Sequence, residues 1–597
     1  GYGWDDLATY NAPAFITAAR QTSTPTRRVR VSNEEDFFRD VQRTYPSLPA
    51  QSVSFGNEWD VYPASMNETT AQVRRATEKL RAAEALAALV ALHDSTFADD
   101  LTAMRRAAWD AFGLYWEHDW TADGPVTRKE RADWQITQKN RITAYVDTLL
   151  GRGVDALGRG LQRWDRPRFY VFNPLGWVRS DVADVPHADA GPVTVVDLQT
   201  GAEAASQRIR KGGRLYLRIW AQNVPSAGYK AFEIRPGEPV RRPLAARARG
   251  EVIANAHYRL RLRKSGIISD LTDRKAGNRL VVGAPDGRGC NDLGSVNTDA
   301  GRPVVLENAG PVSVTLKAVS EDPIPHTVRV TLFANSPRIE IEDSIGANFS
   351  DVKTWTFSFG LKDPTTRHEE LGAILTARKE SRGGHYADRN ARYDWLTFNH
   401  FADLSEKEYG ITLSNVDCSF FRLGGSTPDS LWENSSQLSA LAGGQVDGPR
   451  LGILSQNGAT AFRYQFALTT HQTAFDAVAA MRFSLEHQNP LVTGAVTGTA
   501  DRYPPVAHSL LAVSDQNVLL WSLKPSEEGI ARGLVARFWN LQPAARTPSV
   551  KLIWPVRQAW QTTHLETDER TLRSDNGMLQ PQFAPWQLNT YRLHLQR

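Results

Sequence analysis

The stretch Tyr115-Trp-Glu-His-Asp-Trp120 sets an imidazole, His118, beside a carboxylate, Asp119, where a helical pattern breaks into Thr121-Ala-Asp-Gly-Pro125. Trp109, Tyr115, Trp116 and Trp120 flank the pair. Aromatic faces around a polar cluster suit a sugar ring, whose C–H face stacks while its hydroxyls take charged partners. On composition alone, an aromatic helix end with a satisfied histidine is the commoner arrangement. A second acidic feature is the glycine-rich turn Gly1-Tyr-Gly-Trp-Asp5-Asp6, which in isolation reads as a solvated turn. Asn57-Glu-Trp-Asp-Val-Tyr62 reads either as pocket lining or as a strand end with a packed Trp59. His187-Ala-Asp189 has His-x-Asp spacing, and on a strand both side chains would share a face. Between Pro186 and Gly191 it reads instead as an exposed turn, because a metal site needs further convergent ligands and their supporting partners. His257 has a similar reading, as a strand residue.

The elements that must position these residues follow from periodicity. Pro13 to Arg20 reads as a helix, Val29-Arg-Val31 as a short strand, and Ser32-Asn-Glu-Glu35 as a capping box opening a helix through Phe37, Phe38 and Val41. This alternation suits the end of an α/β domain over residues 1–62. From 63 to 165 the period is helical. Ser65-Met-Asn-Glu68 reads as a second capping box, followed by Val73, Ala76, Leu80, Ala83 and Val90. Phe97 to Tyr115 marks a second helix, and Ile142 to Leu161 a third. Short turns between them predict an antiparallel bundle with His118-Asp119 at one end. Near Asp165 the period changes to two, with Pro and Gly punctuation roughly every ten residues. More than four hundred residues of short strands predict β-sandwiches, divided at the linker Arg235-Pro-Gly-Glu-Pro-Val-Arg-Arg-Pro243 into 166–245 and 246–597.

With 597 residues the chain is too long for one core. Its 41% hydrophobic and 23% charged residues are ordinary for a globular protein, and no apolar run reaches the roughly 18 residues of a membrane span. A net charge of +4 without a Lys/Arg run argues against a nucleic-acid partner. Seventeen tryptophans, many in polar surroundings, lean toward carbohydrate. Cys290 and Cys418 follow no metal-ligand spacing, so they pair or stay reduced. The chain opens at Gly1 with no signal-like segment and reads as the continuation of something longer, a fragment or a processed chain.

The order of α/β end, three helices and β-sandwiches resembles the α-mannosidases of glycoside hydrolase family 38. Gly3-Trp-Asp5-Asp6 resembles that family's Gly-x-Asp-Phe turn. Tyr115 to Gly124 is similar to its His-His-Asp-Ala-x-Thr-Gly-Thr stretch. Val171-Phe-Asn-Pro-Leu-Gly-Trp177 is close to its Asn-Pro-Leu-x-Trp motif. Ala254-Asn-Ala-His-Tyr258 with Gly266-Ile-Ile-Ser-Asp-Leu-Thr-Asp273 resembles its hairpin, and Thr590-Tyr-Arg-Leu593 extends the likeness to the C-terminus. The whole chain then aligns with the family's downstream two-thirds. Departures are Glu117 for the first His, Trp120 for the Ala, and Thr121-Ala-Asp-Gly124 for the Thr-Gly-Thr ending, which point to a divergent bacterial-type branch.

This resemblance implies a multidomain α+β fold: the end of a barrel-like α/β catalytic domain, a three-helix bundle, a small β domain, and a galactose-mutarotase-like supersandwich with a terminal β subdomain. It also implies a retaining glycosidase acting on terminal α-mannosides. His118 would ligate one zinc ion, Asp119 and Asp5 would contact sugar, Trp116 and Trp120 would stack on it, and Asp6 would be the general acid/base. Retaining chemistry needs two carboxyl groups about 5–5.5 Å apart. The resemblance puts Asp6 and His118 in one active site, so it implies that their side chains open onto one cleft within about 15 Å. The nucleophilic Asp and the other zinc ligands have no counterpart among the matched motifs, and are expected from an N-terminal catalytic segment. Without that segment the chain is expected to be inactive. The family also uses an Arg from its β region, but neither Arg389 nor Arg392 can be matched to it. The alternative is a non-catalytic carbohydrate-binding or structural homologue on the same scaffold. A β-sandwich lyase working through Tyr and Arg is disfavoured by the helical bundle. A glycan is the expected partner, a homo-oligomer is compatible with the pattern, and the reading leans toward a secreted or periplasmic bacterial setting.

Overall fold

A computed structural model describes residues 13–45, 47–118, 126–188, 191–380 and 384–596. Helix α1 (Pro13–Thr22) and helix α2 (Glu34–Thr44) come first, and Asn33 caps α2 by accepting from Asp36 N at 2.8 Å. Val29 and Val31, expected as a strand, lie in none. The expected helix through Phe37, Phe38 and Val41 forms, capped by Asn33 and not by Ser32, with Phe37 and Phe38 60% and 62% exposed. The described part of this region buries only Ala19 before Val61, too little apolar surface to form a layer of its own.

The bundle consists of α3 (Asn67–Ala91), α4 (Thr102–Leu114) and α5 (Arg128–Arg159). Arg152 pairs with Asp100 and Gln135 reaches Tyr115 O, so α4 runs against α5; Lys79 pairs with Asp147, so α3 runs with α5 in an up-down-up order. The bundle core holds Val73, Leu80, Ala108, Ile142 and Leu149 at helical spacing. Ser65 does not cap α3: its hydroxyl donates to Tyr62 O, and Glu68 turns to Arg75 and to Arg463 N. Helix α5 starts fourteen residues before the first apolar marker, Ile142, at a complete capping box in which Thr127 and Glu130 satisfy each other's backbone.

Beyond Asp165 the chain is antiparallel sheet. A small sandwich pairs the strands Arg168–Asn173, Gly228–Pro236 and Val193–Asp197 over a second sheet of Arg179–Pro186, Arg214–Val224 and Ser206–Lys211. Two strands from far downstream, Val492–Ala495 and Ala507–Ser509, complete its first sheet. Next comes a large sandwich of a ten-stranded and a nine-stranded sheet, with a core that includes Leu260, Val330, Ile341, Trp355 and Tyr464. The predicted linker over 235–243 begins inside a strand, since Arg235 and Pro236 still belong to Gly228–Pro236; residues 238–245 cross between the two, pinned where Val240 N donates to Glu203. The terminal sandwich has five- and four-stranded sheets, and its core takes in Leu86, Leu89 and Leu157 of the bundle. One element was unforeseen: helix α6 (Ala477–Gln488), capped by Asp476, lies inside the β region. Cys290 and Cys418 are both buried and unpaired.

Candidate functional site

His118 follows the last turn of α4, where Tyr115 N still bonds Ala111 O and Glu117 N bonds Leu114 O. Tyr115 is fully buried with its hydroxyl 2.9 Å from Thr70, so it anchors the helix end in the bundle instead of facing a ligand. Burial of that phenol raises its pKa. The half-buried imidazole of His118 lies 3.7 Å from the Glu117 carboxylate and against Trp59, ring centroids 5.0 Å apart. Trp59 and Trp116 are 49% and 41% exposed, so aromatic surface does reach solvent beside His118. Trp109 packs on Phe112 further back along α4. Of the predicted aromatic ring, Trp116 packs edge-on to Tyr115 and is partly exposed, Tyr115 is buried in the bundle, and Trp59 is the aromatic that lies against His118.

The turn carrying Trp59 is a 3-10 helix, Trp59–Met66, and not a strand end. The chain before it is stitched to the large sandwich. Val53–Ser54 pairs in parallel with His385–Tyr386, Arg392 N donates to Phe55 O, and Asn57 donates to Trp395 O and to the Thr397 hydroxyl. Gly56 has φ +76°, and a Cβ there would stand 1.9 Å from Arg392 O, so only glycine permits this approach. Arg392 forks onto Asp394 and Asp447, at 2.7 Å from each. That bonding holds the Asp447 carboxyl below its usual range, while burial first and then the neighbouring Asp447 push the Tyr62 phenol up to about 12. Arg389 is exposed. At the other side, Arg128 of α5 donates to Pro449 O and Arg450 O, and Met66, Ala132 and Ile453 pack together. The end of α4, the 57–62 turn, the 384–397 loop and residues 447–453 thus meet along one seam.

Asp5, Asp6, Asp119 and Trp120 lie outside the described residues, as does Asp189. His187 is partly exposed just after the Arg179–Pro186 strand. Burial lowers the pKa of His257, which sits beside Tyr258 in the hairpin. Among the described residues no group of three or more His, Cys, Asp or Glu is arranged to hold a metal ion. The two most specific sequence motifs prove to be architectural. Asn173 ends its strand by donating to Trp177 O and Pro225 O, and Trp177 Nε1 donates to Glu486 on α6 at 2.7 Å. Asn255 accepts from His257 N and Tyr258 N, while Asp273 caps the next turn at Lys275 N.

A cluster that sequence reasoning missed sits deeper. His400 is held between Glu369 at 2.8 Å and Glu78 of α3 at 3.1 Å. Glu78 also accepts from Asn489 and faces Arg81, whose guanidinium lies 4.7 Å from the centroid of Trp521. Burial alone would push His400 down, but the two carboxylates outweigh it and raise its pKa from 6.5 to about 9. Burial likewise disfavours the charged carboxylates, yet Arg81 and His400 bring Glu78 well below its usual range, and His400 brings Glu369 below it. This ionic knot joins α3, the large sandwich, the loop after α6 and the terminal sandwich. With all four carboxylate oxygens of Glu78 and Glu369 accepting from protein, it serves assembly and not a ligand.

No protein-family model matches the chain, and no curated protein matches it. Among solved structures it is similar to an α-mannosidase from Enterococcus faecalis V583, with a TM-score of 0.71 at 14% identity, covering 97% of this chain and 74% of that one. A protein in glycosyl hydrolase family 38 from Enterococcus faecalis gives the same TM-score of 0.71 and 14% identity, covering 97% of this chain and 76% of that one. The chain therefore has the glycoside hydrolase family 38 α-mannosidase fold, a multidomain α+β arrangement of bundle and sandwiches.

Proposed function

We propose that this protein is a glycosidase of the α-mannosidase type, cleaving terminal α-mannosides with retention. The observation that supports it most is the coincidence of the fold over nearly the whole chain with a half-buried histidine at the α4 end, lying tilted against an exposed tryptophan. That end is where the resemblance places a zinc ligand and a sugar contact.

The fit to zinc is partial. His118 offers an imidazole, but the described residues hold no set of three ligands, and a catalytic zinc site needs about three from protein. The remaining ligands and the nucleophilic carboxylate would come from a further catalytic segment, so no step is routed through the metal. When bound, zinc would hold sugar hydroxyls and stabilise developing charge. The chain's own contributions are a stacking face from Trp59 and Trp116, a hydroxyl contact from Asp119, and proton donation to the leaving oxygen by Asp6. The carboxylate of Asp6 would then take the proton from the attacking water.

The test is hydrolysis of aryl α- and β-mannosides by the protein expressed from its whole gene. We expect cleavage of the α-anomer alone. Asp6→Asn should keep bound metal and lose most turnover of substrates with poor leaving groups, which depend on proton donation. Full activity in Asp6→Asn would remove the acid/base role. Glycan binding without turnover of any aryl glycoside would favour the non-catalytic homologue instead.

A further inference from the structure

The geometry points to a saccharide-binding groove on the terminal β-sandwich that takes a neutral pyranose unit of a glycan. The groove has a volume of about 620 Å³, within the range of small-ligand sites. It lies at the opposite end of the bundle from His118: the terminal sandwich packs on Leu86, Leu89 and Leu157, toward the ends of α3 and α5 away from Met66 and Ala132. The inference does not depend on the reading of His118.

Its floor is an antiparallel bridge in which Arg546 N donates to Phe583 O at 3.0 Å and Phe583 N to Arg546 O at 2.9 Å. Over that floor stand side-chain amides whose oxygens are already committed. Gln561 accepts from Arg570 Nη2 at 2.7 Å, across a register that pairs the two residues on adjacent strands. Gln587 accepts from Ala584 N at 2.8 Å. Each amide is thereby oriented with its NH2 left as a donor, and a third amide, Gln582, lines the same space. Arg546 adds a buried Nε with no hydrogen-bond partner among the described residues. Fixed donors of this kind match vicinal hydroxyls, which accept and donate at adjacent positions.

Trp586 adds an exposed aromatic beside the groove, next in sequence to the lining residue Gln587 and not itself part of the lining. It lies in the turn between Ala584 and Gln587, is 48% exposed, and has φ +58°. A bulky residue in the left-handed region is strained, and such strain persists where surrounding bonds over-determine it. Here Trp586 N donates to Gln542 O and Trp539 Nε1 donates to Trp586 O. An exposed indole adjoining a groove of oriented amides offers an edge on which a sugar's C–H face can pack while the amides read its hydroxyls. Charge argues for a neutral ligand: Glu569 lines the groove with the two arginines, and Asp515 lies 3.9 Å from Arg546 Nη1.

Calorimetric titration of the intact protein with a panel of neutral mannose-, glucose- and galactose-containing oligosaccharides, plus a sialylated one, tests this. Binding of at least one neutral glycan is expected. Measured in the His118→Ala background, so that a site at His118 does not contribute, that binding should persist, and Trp586→Ala or, separately, Gln587→Ala should weaken it about tenfold or more with the thermal midpoint unchanged. Binding that His118→Ala abolishes, or that both groove variants spare in that background, would overturn the groove and leave the proposed function standing. Binding of the sialylated glycan alone, or of no glycan, would also overturn it.

Discussion

His118 and His400 both sit where the bundle meets the sandwiches, and both face a carboxylate, yet they are built for opposite ends. His400 has two carboxylates within 3.1 Å, is 3% exposed, and lies in a knot whose members come from four separate regions. His118 has the Glu117 carboxylate at 3.7 Å, a tryptophan against its ring and a side chain 31% exposed. A histidine whose nitrogens are both held by protein at short range is a clamp. One left half-open beside an aromatic face can still take a ligand. Proximity to an acid does not separate the two; enclosure does.

The comparison is most easily broken at the clamp. His400→Ala leaves Glu78 and Glu369 buried without their shared cation, and loss of one partner from a buried ionic set costs about 3–5 kcal/mol. We expect a large drop in thermal midpoint for His400→Ala and, because the site is half-open, a change within about 1 kcal/mol for His118→Ala. Equal shifts in differential scanning calorimetry would erase the distinction.

The pH dependence sharpens it. The pKa of His400 is raised on folding, so its contribution is complete below its ordinary value of 6.5 and is lost as pH rises through about 9. Glu78 and Glu369 are depressed on folding, so theirs is present above the ordinary carboxylate value of 4.5 and is lost as pH falls below it. The wild type should therefore be most stable between about pH 5 and 6.5 as far as this knot is concerned, with a decline toward pH 9 that His400→Ala no longer shows. A thermal midpoint in His400→Ala that falls toward pH 9 as steeply as in the wild type would contradict the clamp.

A smaller effect than that of breaking the clamp belongs to the seam beside His118. Gly56→Ala places a methyl group against Arg392 O in a left-handed backbone, and should cost about 2 kcal/mol. Because the 384–397 loop backs the Trp59 turn, the variant should also loosen the Trp59–His118 contact, seen as a shift in tryptophan emission. Unchanged emission would mean that the loop does not support the turn.

Much of this was legible in the chain, and the failures have physical causes. The bundle showed because α3 and α4 bury apolar residues at three-to-four spacing. The start of α5 did not, because its first turns bury Arg131, Gln135 and Gln138. Ser65 looked like a cap, but a 3-10 turn precedes α3 and takes the hydroxyl. Helix α6 carried a readable signal in Asp476 followed by Val478, Met481 and Leu485, passed over amid period-two strands. His118 stood out by its neighbours in sequence, whereas His400 could not, since its acids lie 31 and 322 residues away. Trp59 was noticed without its partner for the same reason: only the fold brings it to His118.

The central claim, that His118 is the ligand-taking histidine, is tested most directly by metal content. Zinc per mole should be measured in the protein expressed from its whole gene, in His118→Ala and in a folded His400→Ala preparation held below its melting range. The account predicts stoichiometric zinc in the wild type and His400→Ala and its loss in His118→Ala. Stoichiometric zinc retained by His118→Ala would contradict it.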